Sequence, residues 1–412
     1  MLKKRFKILL DKLPFGLGRK YLIPFMIFII DFRHNYKWYF IYRLPWYLRM
    51  KFYTNMINLV FMPSNRKKRL LGIYDFKTCP WSVGDPLMFV EELNCLLEEL
   101  SIEGIDICVI YDNDNPAGIR HNDNLSSENA RDYVLDWLPL FSTCQNLDSL
   151  FHFKSRLEFN YFLRGNMDRY MIFPSITNHL GETYNYTWHA EIRPMVEFYK
   201  KHKRIPHLRI GPLKSSWAYQ FFLKHINPNN IPVVLSLKLT DHDHQRNADP
   251  SVWLPFIARI VKDHKELSFV FVGLKGEELP GIRKLSNVII AKDYGTSIIE
   301  DLALIQKSFI YIATVSGPNT IALFSDTPYI IFQMPVEQKN YPIKRGENYC
   351  FATQYQKLFD TTYPMSAEFI YDEFQKVYEK LDIKQWLATA KSKSTFVSQH
   401  PSTHVLNTEK AE

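Results

Sequence analysis

The segment FIYIATVSGPNTIALFSDTPYIIF, residues 309–332, interrupts an apolar run with Ser316, Gly317, Pro318, Asn319 and Thr320, then resumes with helical spacing. At such a strand-to-helix corner Gly317 permits a tight turn and close approach of a ligand. Ser316, Asn319 and Thr320 offer short polar groups, and the free N–H groups and positive end of the following helix suit an anion such as a phosphate. An ordinary turn uses the same residues, so the corner alone leaves both readings open. Two further stretches carry charge in comparable places. LSLKLTDHDHQRNADP puts Lys238, Arg246 and Asn247 in a loop after a strand, and AKDYG ends another strand with Lys292 and Asp293. The loop KTCPWSVGDP holds Lys77, Thr78, Gly84 and Asp85 ahead of an apolar helical run, a place where Asp commonly serves as an N-cap.

Other chemistries lack their defining residues. The Asp-His-Asp-His tract at 241–244 crowds its ligand types into consecutive positions. Such neighbours rarely converge on one ion, so neither a divalent metal nor any other cofactor is expected. The chain contains no G-x-S-x-G, no Gly-Lys-Ser/Thr phosphate loop and no G-x-G-x-x-G, which sets aside hydrolase, P-loop and dinucleotide readings. His189, His207 and His225 sit beside aromatic or apolar residues. Of these, His189 in NYTWHAEI, at an expected helix start, is the candidate for an acceptor contact.

The elements that must position these residues alternate. LLGIYDF reads as a strand, LMFVEELNCLLEEL as a helix and IDICVIYDND as a strand, together a βαβ unit. Between residues 120 and 228 the pattern is weaker: RYMIFPS and IPHLRIGP read as strands, AEIRPMVEFYKKH and SWAYQFFLKH as helices. INPNNIP, rich in Asn and Pro, marks a domain boundary. Beyond it PVVLSLK, LSFVFVG, NVIIAKD, FIYIATV and PYIIFQ are strands. DPSVWLPFIARIVKDH, capped by Asp249, SIIEDLALIQKS and NTIALFSD are the helices between them. This regular alternation argues for a doubly wound parallel sheet.

The 412-residue length suits two such domains, and the five scattered cysteines, without a CxxC pair, argue against a disulfide framework. Charge is uneven. Residues 1–70 hold 16 Lys and Arg against Asp11 and Asp31, a net +14, whereas the remainder carries −6. The basic residues interleave with aromatic ones (RHNYKWYFIYRLPWYLRMKFY), and the most apolar run, YLIPFMIFII, is far shorter than the roughly 20 residues a spanning helix needs. An anionic membrane surface, helices packed on the body and nucleic acid are the three readings of this composition. The first is the expectation adopted here, with no nucleic acid.

Three of these stretches together resemble the two-domain GT-B glycosyltransferases, most closely the bacterial heptosyltransferase-like group. AKDYGTSIIEDLALIQKSFIYIATVSGPNTIALFSDTPYIIF follows that family's order of strand, loop, helix, strand, small-residue turn and helix. It departs at Val315, where the family has Asp, and at Ser325-Asp326 in place of Leu-Gly. DFKTCPWSVGDPLMF is similar to the family's K-T/S-x-x-x-G-D-x-L loop, with about one extra residue. The resemblance covers about residues 70–360.

What the resemblance implies is an α/β chain of two Rossmann-like doubly wound domains facing a cleft. Residues 67–228 would be the acceptor domain and 229–365 the donor domain. A helical basic-aromatic extension over 1–66, a C-terminal helix over 366–390 and a disordered tail over 391–412 complete the expected organisation. Asp85 would be the catalytic base, with Lys77, Thr78, Gly84 and His189 toward the acceptor. Lys238, Arg246, Asn247, Lys292, Asp293 and Ser316–Thr320 would hold the nucleotide-diphosphate sugar, a planar Arg fork pairing well with two phosphate oxygens. The reaction would be an inverting, metal-independent transfer to a saccharide or glycolipid acceptor, in cell-surface polysaccharide or lipopolysaccharide synthesis on the cytoplasmic membrane face. A nucleotide-sugar epimerase of the same architecture and a non-enzymatic membrane-associated binding protein are the alternatives.

Overall fold

The computed structural model describes residues 69–80, 82–111, 130–166, 169–174, 178–180, 183–185, 188–227, 230–239, 246–335 and 343–394. The extension over 1–66, the Asp-His-Asp-His tract and residues 395–412 lie outside them. The chain divides into two compact units. One comprises Met1–Trp81, Leu97–Asp132 and Asn146–His189; the other comprises Ser82–Leu96, Tyr133–Gln145 and Ala190–Glu412.

In the first unit, β1 (Arg69–Asp75), β2 (Ile105–Ile110), β3 (Leu147–Phe153) and β4 (Tyr170–Phe173) form a parallel sheet in the order β3-β2-β1-β4. The helices α1 (Gly84–Leu100) and α2 (Ala130–Phe141) link β1 to β2 and β2 to β3, and α3 (Arg156–Asn166) links β3 to β4. Every residue of β2, and all of β1 but its first, is buried, as expected for strands covered on both faces. Phe159 and Leu163 of α3 pack with Leu71, Ile73, Cys108 and Ile110. A short antiparallel hairpin, β5 (Asn178–Leu180) with β6 (Thr183–Asn185), follows β4.

The second unit, which also takes in most of α1 and α2, continues with α4 (Arg193–His202) and α5 (Pro212–His225). It continues β7 (Ile231–Ser236), α6 (Pro250–Asp263), β8 (Leu267–Phe271), β9 (Val288–Ile290), α7 (Ile298–Lys307), β10 (Ile310–Thr314), α8 (Asn319–Leu323), β11 (Tyr329–Met334) and β12 (Gln356–Asp360). It ends with α9 (Ala367–Tyr378) and α10 (Ile383–Ser394). The six strands are parallel, in the order β12-β11-β10-β7-β8-β9. Counted within the unit this is the doubly wound 3-2-1-4-5-6 order, which reverses between β7 and β10. Asp249 caps α6 by accepting from the Ser251 N–H at 2.8 Å, as its sequence context predicts. Trp253 and Phe256 of α6, Phe332 of β11 and Phe374 of α9 then join in one buried cluster.

Several local expectations differ from the structure. IPHLRIGP forms no strand. Its backbone groups pair instead with Phe324 O, Thr143 O and the Gln306 side chain, and prolines bound it at both ends. The border at INPNNIP is not where the units divide, because α5 packs against α7 and α10 of the second unit. The C-terminal helix expected over 366–390 is two helices, and the second carries helical structure to Ser394, past the expected start of the tail. His189 lies upstream of α4 rather than at a helix start.

Candidate functional site

In an open parallel sheet the loops at the strands' carboxyl ends part where the strand order reverses, and ligands bind there. In the second unit that place lies between the ends of β7 and β10. The two ends are tied: the Lys238 N–H donates to Thr314 Oγ1 at 2.8 Å. The Ala248 N–H donates back to Lys238 O at 2.8 Å, so the loop that leaves at Lys238 returns beside it, carrying Arg246 and Asn247 into the start of α6. Lys238 also lends positive charge to the surroundings of Glu277, whose carboxyl is held above its ordinary range chiefly by burial.

The corner after β10 is built from within. Asn319 is buried, its Nδ2 donates to Thr314 O at 3.1 Å, and its Oδ1 accepts from Tyr311 Oη at 2.7 Å and Ser316 Oγ at 3.0 Å. Asn319 therefore shapes the corner through these internal bonds. The following helix has only five residues, and the N–H groups of Asn319, Thr320 and Ile321 are already turned to Ser316 O, Gly317 O and Pro318 O. An anion here would meet side chains and cations rather than a row of free helix N–H groups.

Gly317 and Gly84 meet each other. A Cβ on Gly317 would lie 2.8 Å from Gly84 N and 3.1 Å from Val83 Cβ; a Cβ on Gly84 would lie 2.8 Å from Thr320 Oγ1 and 3.0 Å from Gly317 O. Both glycines belong to the second unit. Gly317 thus admits the turn that opens α1, and with it Asp85. That Asp takes the Ser82 N–H on Oδ2 at 2.7 Å while its own N–H donates to Ser82 O at 3.0 Å. Partial burial pushes its carboxyl up to about 6, against the opposing pull of hydrogen bonds from the Ser82 side chain and backbone N–H. Below the corner, Met88, Ile192, Val315, Leu323, Phe324 and Met334 line a small cavity that also touches Ser316 and Thr320.

Because backbone stands against both glycines, Gly317→Ala is expected to destabilise the fold by roughly 1–3 kcal/mol, read as a lower urea midpoint. Gly211→Ala is the control. Nothing lies within 4 Å of its Cβ position, so a change within about 0.5 kcal/mol is expected.

The remaining sequence-derived residues are placed elsewhere. Lys292 Nζ is 2.8 Å from the buried Asp301 Oδ2, and Thr296 Oγ1 donates to the other oxygen at 2.6 Å; burial lifts the Asp301 carboxyl to about 6 despite these partners. Asp293 accepts twice from Arg283, at 2.6 and 3.0 Å. Both are thus tied into ion pairs of the loop after β9. In the first unit the Lys77 N–H donates to Asp75 Oδ1 at 3.0 Å, Thr78 N–H to Asp75 O at 2.9 Å, and His189 is exposed beside the buried Trp188.

Four residues escaped sequence reasoning. Tyr311 and Thr314 read as parts of an apolar strand, although their polar atoms organise the corner. Asp75 and Arg156 form a buried two-pronged ion pair, Arg156 Nε and Nη2 each donating at 2.7 Å. Asp75 was hidden within LLGIYDF, read only as a strand; Arg156, 81 residues away, carried no signal.

No family model matches the chain, and no curated protein matches it. Among solved structures it is similar to the glycosyl transferase family 9 protein from Veillonella parvula, at 11% identity over 81% of this chain and 96% of that one, with a TM-score of 0.43. It is also similar to E. coli ADP-heptose LPS heptosyltransferase II, at 10% identity, 79% and 99% coverage, TM-score 0.45. A third is E. coli heptosyltransferase WaaC with ADP-2-deoxy-2-fluoro heptose, at 14% identity, 75% and 99% coverage, TM-score 0.37.

Proposed function

We propose that the chain is a glycosyltransferase of the GT-B type that takes its sugar from a nucleotide-diphosphate donor. One observation carries this reading: the turn bearing Asp85 sits on the Ser316–Thr320 corner, at the reversal point of a 3-2-1-4-5-6 sheet. A carboxylate with a raised pKa is thereby held beside the place where such sheets receive nucleotides.

In this reading Lys238 and Arg246 face the donor diphosphate, with the Ser316 hydroxyl as a further partner. Asp85 removes the proton of an acceptor hydroxyl as its oxygen attacks the anomeric carbon. The bond from that carbon to the diphosphate breaks, its electron pair leaves with the diphosphate, and the two cations stabilise the departing charge without a metal. One such displacement inverts the anomeric centre. The acceptor is a saccharide or glycolipid, and the basic-aromatic extension 1–66 holds the enzyme to the cytoplasmic membrane face. No helix among the described residues is long and apolar enough to cross a membrane.

The test is thermal unfolding with ADP, UDP, GDP and CDP and their sugar derivatives. A ligand that binds only the folded chain at 100 times its Kd adds about 2.7 kcal/mol of stability, so one nucleotide series should raise Tm by several degrees. No response from any of them overturns the reading. Diphosphate released only when an acceptor is added separates transfer from epimerisation.

A further inference from the structure

Gln333 departs from its strand in three ways. It is a non-glycine residue in the left-handed region, with φ 59°, inside β11. The pairing of β11 with β12 slips around it: Ile331 faces Leu358 but Met334 faces Asp360, so Phe332 and Gln333 together oppose one residue. Its Oε1 is buried and accepts no hydrogen bond. The first and third raise the free energy of the empty protein, by backbone strain and by an unmet acceptor respectively.

The bulge has a directional consequence. In regular alternation Gln333 would face away from Phe332. Phe332 packs on Trp253 of α6, while Met334 joins Val315 in lining the cavity on the opposite face. With the extra residue, Gln333 turns toward the α6 side as well, and its Nε2 donates to Asn247 O at 3.3 Å. That carbonyl can only accept, which fixes the amide orientation and leaves Oε1 as the idle atom. Because β10 lies between β11 and β7 in the sheet, this bond ties the end of β11 to the loop that follows β7, two strands away, and carries Arg246. Bulges at such edges commonly re-aim a side chain toward a site.

We infer that Gln333 is a donor-selecting residue whose idle amide oxygen accepts a hydrogen bond from a hydroxyl of the bound nucleotide sugar. This rests on the nucleotide-sugar reading of the same edge. The hydroxyl belongs to the ribose or to the transferred sugar, and binding distinguishes them.

The experiment measures Kd for UDP-glucose, ADP-glucose and GDP-mannose, and for UDP, ADP and GDP, on the full chain, Gln333→Leu and Gln333→Gly. Both variants are expected to bind the accepted nucleotide sugar about tenfold more weakly, the equivalent of one lost hydrogen bond to a buried acceptor. Equal weakening for the diphosphate assigns the ribose; weakening confined to the sugar nucleotide assigns the transferred sugar. Gln333→Gly, relieved of strain and of the unmet acceptor, should also melt about 2–4 °C higher when empty. Unchanged Kd values in both variants overturn the role of Gln333 and leave the nucleotide-sugar reading standing. A wild-type chain that binds none of the six, and neither CDP nor its sugar derivatives, overturns that reading, and the inference with it.

Discussion

Asp85→Asn is expected to lower turnover by 10²- to 10⁴-fold while donor affinity stays within about twofold, since general-base catalysis contributes on that scale and the base touches the acceptor, not the donor. The wild-type pH profile should carry the matching signature. Asp85 is neutral below its folded pKa of about 6 and ionised above it, so kcat/KM should climb tenfold per pH unit below that point and level off above it. In the asparagine variant this limb should vanish. Stability should run the other way. A carboxyl whose pKa is raised on folding favours the fold most when protonated, so its contribution is fully present below about pH 4 and is lost as pH rises through about 6. Asparagine stays neutral throughout. The variant should therefore be more stable than wild type at pH 8, by about 1–2 kcal/mol once the partial exposure of Asp85 is allowed for, and the two should converge near pH 4. Turnover unaffected by the substitution, with an unshifted acid limb, would remove Asp85 from the chemistry.

How much of this could be read in the sequence follows from what each element depends on. The strands of the second unit were legible because a strand buried on both faces writes itself as an uninterrupted apolar run, as Ile231–Ser236 and Ile310–Thr314 do. The α6 boundary was legible because a cap is local: Asp249 directly precedes the helix and Pro250 opens it. Less local features stayed hidden. β3 exposes Asp148 and His152, contains Ser149 and buries none of its residues fully, so its composition does not announce a strand. The role of Gly317 was read as room for a ligand, whereas the room is occupied by Gly84, a residue 233 positions earlier. Lys292 and Asn319 have side chains suited to a ligand, but Asp301, Thr314 and Tyr311 engage them. Sequence identifies which groups a corner owns; which of them remain directed outward depends on partners that only the fold supplies.

The same dependence makes Arg156 a sensitive structural residue of the first unit. Asp75 is almost fully buried at the end of β1, where its carboxylate takes both prongs of Arg156 and the Lys77 N–H, and its carbonyl takes the N–H groups of Thr78 and Cys79. Burial pushes the carboxyl's pKa up, and the guanidinium is the main force opposing that rise. Arg156→Ala leaves the charge buried and unpaired, for which a loss of about 3–5 kcal/mol is expected, read as a fall in the urea midpoint at pH 8. The deficit should shrink in acid, because without Arg156 the folded-state pKa rises further and a protonated Asp75 carries no charge to compensate. Combining Arg156→Met with Asp75→Asn should recover much of the loss, since a neutral amide can still accept the Lys77 N–H and no ion remains unpaired. If the single and double variants are equally unstable, the pair acts through packing alone. A deficit that does not change between pH 8 and pH 4 would likewise exclude the charge as its cause.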